Sequence, residues 1–147
     1  MSSHYKMLGI NLLASLGIMY LVMFAMIDSV PDFYNNLNML YMALVMLAPM
    51  AILMLVTMGS MYANRRLNLI LHALFAGLFV FAFAATRVQA AIGDAQFLRS
   101  MIPHHSGAIL MCRKAALADP EIVALCGRIQ RSQREEIDQM RAILERY

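Results

Sequence analysis

The chain has 147 residues, enough for one ordinary domain, yet 61% of them are hydrophobic, 14% are charged and the mean hydropathy is +0.63. That balance excludes a soluble globular domain of average make-up. The formal net charge of +3 is small, and with no basic run or interleaved aromatic stripe a nucleic-acid partner is excluded as well.

The charges divide the chain in two. Residues 1–86 carry only Lys6, Asp28, Asp32, Arg65 and Arg66; all other charged side chains lie from Arg87 onward. The predicted organisation is a membrane domain over residues 1–86 and an extracytoplasmic helical hairpin over residues 87–147. Three long uncharged stretches occupy the first part, and a membrane helix needs about 20 mainly apolar residues. Spans are predicted at residues 8–27, 37–59 and 67–85, joined by the short linkers around "DSVPDFYNN" and "SMYANRR". Pro49 falls inside the second span, where a kink is expected and neighbouring helices can satisfy the freed carbonyl.

Lys and Arg set the orientation. The first loop has Asp28 and Asp32 and no basic residue; the second has Arg65 and Arg66, and the N-terminal tail has Lys6. The N-terminus and second loop are therefore expected in the cytoplasm, with the first loop and the C-terminal domain periplasmic at a bacterial inner membrane. The first and third apolar runs exceed the length of a signal-peptide core, so cleavage is not expected.

The second span carries a methionine stripe, with Met42, Met46, Met50 and Met54 at its centre. Together with Met39, Met58 and Met61 these residues share an arc of roughly 160° at helical pitch. A thioether ladder is one reading, resembling the three-span eukaryotic copper transporters with Met-x3-Met in the second span. Flexible apolar filler facing lipid or neighbouring helices is the other. His72, near the cytoplasmic end of the third span, reads as an interfacial residue unless it faces the bundle interior.

Residues 90–147 have helical periodicity. Phe97, Met101, His104/His105, Ala108 and Met111/Cys112 recur at steps of three and four. Pro103 is expected to kink or restart this helix. The turn falls at Asp119-Pro120-Glu121, a capping residue followed by a proline suited to the first helical position. With the turn centred on Asp119, Cys112 comes level with Cys126 and His105 with Gln133. Two helices alone bury too little to be stable, so this hairpin needs a partner, either the membrane spans or a second copy.

Imidazole nitrogen with thioether or thiolate sulfur is a soft-metal ligand set, which favours Cu(I) over magnesium or calcium. Zinc would not use methionine. A di-iron carboxylate centre would need a Glu-x-x-His motif, but Met101 and Ile102 stand where those glutamates would be. Met101, His104 and His105 are the leading candidate ligands, with Met111 and Met140 behind them. Gln133 and Glu136 are candidates to orient a ring N–H. The same methionines read equally as core filler, and adjacent histidines point about 100° apart on a helix. Cys112 and Cys126 are either a structural disulfide, which an oxidising compartment permits, or thiol ligands.

The pattern Asp94, Phe97, Met101, Pro103, His104, His105, Ala108 and Met111 (M.PHH..A..M at its centre), followed by Leu125, Ile129, Gln133, Glu136, Ile137, Met140 and Leu144, resembles a bacterial family of unknown-function domains with a paired-histidine signature. That family is placed in the ferritin-like superfamily. The resemblance implies a two-helix unit that pairs into a four-helix bundle, hence a homodimer here. It also implies periplasmic copper or silver binding through Met and His, as in some members, with Asp94 among the supporting residues. The expected fold is all-α: three transmembrane helices followed by a ferritin-like two-helix hairpin. The expected role is soft-metal sequestration or handover. The alternative is a structural or assembly module that dimerises or binds another membrane protein. No nucleophile–base–carboxylate set suggests an enzyme.

Overall fold

The computed structural model describes residues 3–147 and is all-helical over that range. Helices α1 (Ser3–Val22), α2 (Leu37–Thr57) and α3 (Arg65–Val88) are followed by α4 (Asp94–Lys114) and α5 (Pro120–Leu144), and a single 3-10 turn covers Val30–Asp32. The chain forms two compact units. One comprises Met1–Met23 and Asn38–Ala90, the other Phe24–Leu37 and Ala91–Tyr147.

In the first unit α1, α2 and α3 are each long and apolar enough to cross a membrane. The three pack through Leu8 and Leu12, Leu47, Ala48, Ala51 and Leu55, and Phe75, with Tyr62 at one end. The packing face of α2 alternates small and large residues: Ala43, Ala48 and Ala51 are fully buried. Small residues of this kind let membrane helices approach closely. The methionine stripe lies beside that face: Met42 and Met46 are exposed, while Met50 and Met54 lean on the core. α2 continues through Pro49. At the Tyr62 end of the unit Tyr5 donates to Asn68 Oδ1 at 2.7 Å, Asn68 Nδ2 donates to the Tyr62 carbonyl at 2.7 Å, and His72 Nδ1 bonds the Asn68 carbonyl at 2.7 Å. His72 thus folds back on its own helix. α3 extends to Val88, past the predicted end at residue 85, and stops at Gln89 in the left-handed region (φ 52°). The Gln89 amide is held by the Thr86 carbonyl and by Asn38.

α1 ends at Val22, five residues before the predicted end of the first span. The apolar run from Phe24 to Ile27 belongs to the second unit, where Phe24 is buried with its ring 4.2 Å from that of Phe33. A packed loop core and a membrane span make the same demand for apolar side chains, so composition alone does not separate them.

The second unit is a pair of helices plus the α1–α2 loop. α4 and α5 pair antiparallel around Leu98, Ile102, Ile109, Ile137 and Met140, with Tyr34, Met101, Ile143 and Leu144 packed against them. Cys112 and Cys126 are disulfide-bonded at the turn end, with Cα atoms 5.2 Å apart. Asp119 caps α5 by accepting from the N–H groups of Glu121 and Ile122. α4 runs unbroken through Pro103. A proline leaves the carbonyl four residues earlier without its helical donor. Here that carbonyl belongs to Arg99 and accepts from Asn36 Nδ2 of the loop at 3.4 Å. At the opposite end of the pair Tyr147 donates to Asp94 at 3.0 Å.

Candidate functional site

The paired histidines sit at mid-length on α4 and have different surroundings. His105 is buried. Its Nδ1 bonds the Met101 carbonyl at 2.9 Å and its Nε2 lies 2.7 Å from Glu136 Oε2. A carbonyl only accepts, so Nδ1 carries the proton of the first bond, and the second proton is shared with the carboxylate. Neither nitrogen presents a free lone pair. Glu136 is itself fixed by Ser132 Oγ at 3.0 Å and by Gln133 Nε2 at 3.4 Å. His105 therefore faces Glu136, one turn beyond the Gln133 that the level count indicates, and Gln133 acts on the carboxylate.

His104 points away. It is exposed and makes no hydrogen bond among the described residues, and its ring centroid is 6.1 Å from that of His105. Met101 is one turn earlier on the same side of α4, half-buried at the edge of the core. Met140 is buried inside that core, and Met111 is exposed two turns beyond His104. Asp94, about 15 Å of helix away from His104, is bonded to Tyr147. Cys112 and Cys126 bond each other, which leaves no thiolate for a metal. Among the described residues no group of three or more His, Cys, Asp or Glu side chains is disposed to hold a metal ion. For a soft metal the fit is partial: His104 is exposed with no hydrogen bond among the described residues and half-buried Met101 is one turn away, whereas His105 would have to give up Glu136.

A second constellation stands out more clearly, and its acids entered the sequence reading only as loop charges. Asp28 and Asp32 of the α1–α2 loop are buried, with side chains 4% and 0% exposed. Asp32 accepts from Ser29 Oγ at 2.8 Å and from the fully buried Ser106 Oγ at 2.5 Å, and it is paired with Arg141. Ser106 Oγ in turn accepts from the Asp28 N–H at 2.6 Å. Asp28 Oδ2 accepts from Arg134 Nη2 at 3.1 Å. Arg113 Nη2 is 2.9 Å from Asp28 Oδ1, but its N–H groups are not aligned on that oxygen, which has a charge partner without a hydrogen bond. A buried carboxylate is tolerated only when paired and bonded, and three arginines from two helices meet that demand. The one available sequence signal was Arg134 and Arg141, seven residues apart and so on one face of α5.

The domain of unknown function DUF305 matches residues 83–146, which span the end of α3, α4 and α5. The chain is also 36% identical over 120 residues to the uncharacterized protein L153 of Acanthamoeba polyphaga mimivirus, an alignment covering 80% of this chain and 77% of that one. This alignment is nearly twice as long as the domain match, so the likeness reaches into the membrane-type helices. No solved structure matches the chain. The chain therefore belongs to the same family as the mimivirus protein, and its residues 83–146 match the DUF305 domain of unknown function.

Proposed function

We propose that this chain is a membrane-anchored soft-metal protein that takes up Cu(I) or Ag(I) on a periplasmic hairpin, for sequestration or handover, with His104 as the imidazole ligand and Met101 as its thioether neighbour. The observation that carries the reading is the split between the two histidines. His105 is committed to Glu136 and the Met101 carbonyl, while His104 has both nitrogens free at the surface. Imidazole and thioether together suit Cu(I). Three apolar helices support anchorage, and Arg65 and Arg66 between the second and third favour a cytoplasmic position for that loop.

One hairpin supplies two donors, so further ligands would come from a second copy, in keeping with a ferritin-like four-helix arrangement. Phe97, Met111, Ile122 and Leu125, all exposed apolar residues of α4 and α5, favour such pairing. They favour equally the second reading, an assembly module with no metal. The deciding experiment is Cu(I) competition against a chromogenic chelator, with the full-length protein in detergent. His104→Ala and Met101→Leu should each weaken uptake, whereas His105→Ala should lower stability and leave the ion bound. A parent protein that takes no Cu(I) or Ag(I) would leave the assembly reading in place.

A further inference from the structure

The disulfide stands apart from the core that joins its two helices. That core reaches from Leu98 and Met140 to Ile109, and Cys112 lies one turn beyond Ile109, toward the loop. Both cysteines are half-buried, and both line an open cavity of about 350 Å³ whose other walls are Ala115, Leu117, Val123, Gly127 and Gln130. Breaking the bond leaves the α4–α5 core and the tie from Ser106 to Asp32 in place. The two sulfurs then stay neighbours, on Cα atoms 5.2 Å apart. Within four residues of either cysteine the chain has Arg113, Lys114 and Arg128 and no carboxylate. Arg113 is bound to Asp28, while Lys114 and Arg128 make no ion pair among the described residues.

We propose that Cys112 and Cys126 form a second, redox-gated Cu(I) site, closed as the disulfide and opened by a dithiol. One thiolate of the dithiol attacks a cysteine sulfur and releases the other cysteine; its second thiolate then resolves the mixed disulfide. The dithiol leaves as a disulfide, and its two electrons and two protons remain on the cysteines. Cu(I) displaces both protons and is held by the two sulfurs with no change in its oxidation state. A metal–thiolate bond is about 2.3 Å long, so rotation about the Cα–Cβ bonds parts the sulfurs enough to clasp one ion. The cavity walls select the metal. They offer two sulfurs, one amide and no imidazole or carboxylate, which suits a soft ion content with two ligands. Zinc would want four. The basic residues nearby balance the negative charge of the bis-thiolate complex. Cys112 is about 12 Å of helix from His104, so this site neither uses nor requires the donors proposed there.

The test uses the full-length protein in detergent, reduced with dithiothreitol and freed of it by gel filtration without oxygen. Cu(I) is supplied as its bicinchoninate complex, and circular dichroism of the same samples follows helix content. The reduced parent should take one more Cu(I) per chain than the oxidised parent, at unchanged helicity and with thiolate-to-copper absorption in the near ultraviolet. Carbamidomethylation of both thiols keeps the bond broken and blocks the sulfurs, so it should abolish that gain, as should Cys112→Ser with Cys126→Ser. His104→Ala should retain the gain in full. No gain on reduction, a gain that survives alkylation, a gain lost in His104→Ala, a tighter hold on Zn(II) than on Cu(I), or a bond that opens only with loss of helicity would each overturn the proposal. An oxidised parent that takes no Cu(I), beside a reduced parent that takes one, would sink the His104 reading and leave this site standing.

Discussion

Ser106 and Asp32 are 74 residues apart in sequence, yet the serine hydroxyl donates to the carboxylate at 2.5 Å and both side chains are fully buried. That contact ties the α1–α2 loop to the middle of α4, on the side of the helix away from His104. The partner that a lone helix pair needs is thus supplied in part from within the chain.

Asp32→Asn should test this tie. The substitution keeps the shape and removes the charge that Arg141 and Ser106 face. Removing one member of a fully buried ion pair costs about 3–5 kcal/mol. Arg141 is 30% exposed and can turn to water, so a loss of about 2–3 kcal/mol is expected. Denaturant unfolding of the detergent-solubilised protein gives the number. A change below about 0.5 kcal/mol, the size of an ordinary surface substitution, would show that the network does not hold the unit together.

The disulfide makes a separate contribution. Cys112 and Cys126 are 14 residues apart, and closing a loop of that size stabilises by about 3 kcal/mol through the unfolded state. Replacing both with serine, or adding a reductant, should lower the melting temperature without changing helix content at room temperature. Loss of helicity on reduction would mean that the core around Ile102 and Ile137 cannot hold the two helices unaided.

Topology can be read by residue accessibility. Val30 and Tyr147 are exposed residues of the same unit, so single cysteines there, in a background with Cys112 and Cys126 replaced, must label from the same side of the membrane. A cysteine beside Arg65 and Arg66 should label from the opposite side. Labelling of all three from one side would remove the case for three crossings.

The Tyr147 phenol gives a pH signature. Its hydrogen bond to Asp94, and then the negative charge of that carboxylate, hold it above its ordinary value. A raised folded-state value means that the stabilisation is fully present below about 10, the unfolded value. It is lost as the pH rises through the folded value. Ultraviolet titration of the parent against Tyr147→Phe isolates this group from the other five tyrosines. Asp94→Asn should return it toward the ordinary value.

How much of this was legible depends on the range of the interaction. The apolar runs, the Asp119-Pro120 cap and the level match between Cys112 and Cys126 are local signals with a fixed period, and each reads directly from the residues. The roles of Asp28 and Asp32 do not. As loop acids they look like solvated charges, and their partners Arg134 and Arg141 lie 106 and 109 residues further on. The histidines fall between these cases. Spacing put both on α4, but only the rotation of the helix decides that His105 meets Glu136 while His104 faces outward. The end of the first span was hidden for another reason, since Phe24 is as apolar as any lipid-facing residue and is used in a packed loop.

The separation of those ion-pair partners sets an order of events during synthesis. Asp28 and Asp32 are made first and lack the arginines that pair with them while α2 and α3 are being built. The arginines that neutralise them follow α3. On the proposed topology, in which α1, α2 and α3 each cross the membrane, acids and arginines meet only if α2 and α3 return the chain to the side it left. A chain that inserts with one crossing too few strands them on opposite faces, and its loop and hairpin stay open to the proteases that clear unfolded segments. If the three helices cross as proposed, closure of the unit is a check on membrane insertion, made by the chain on itself.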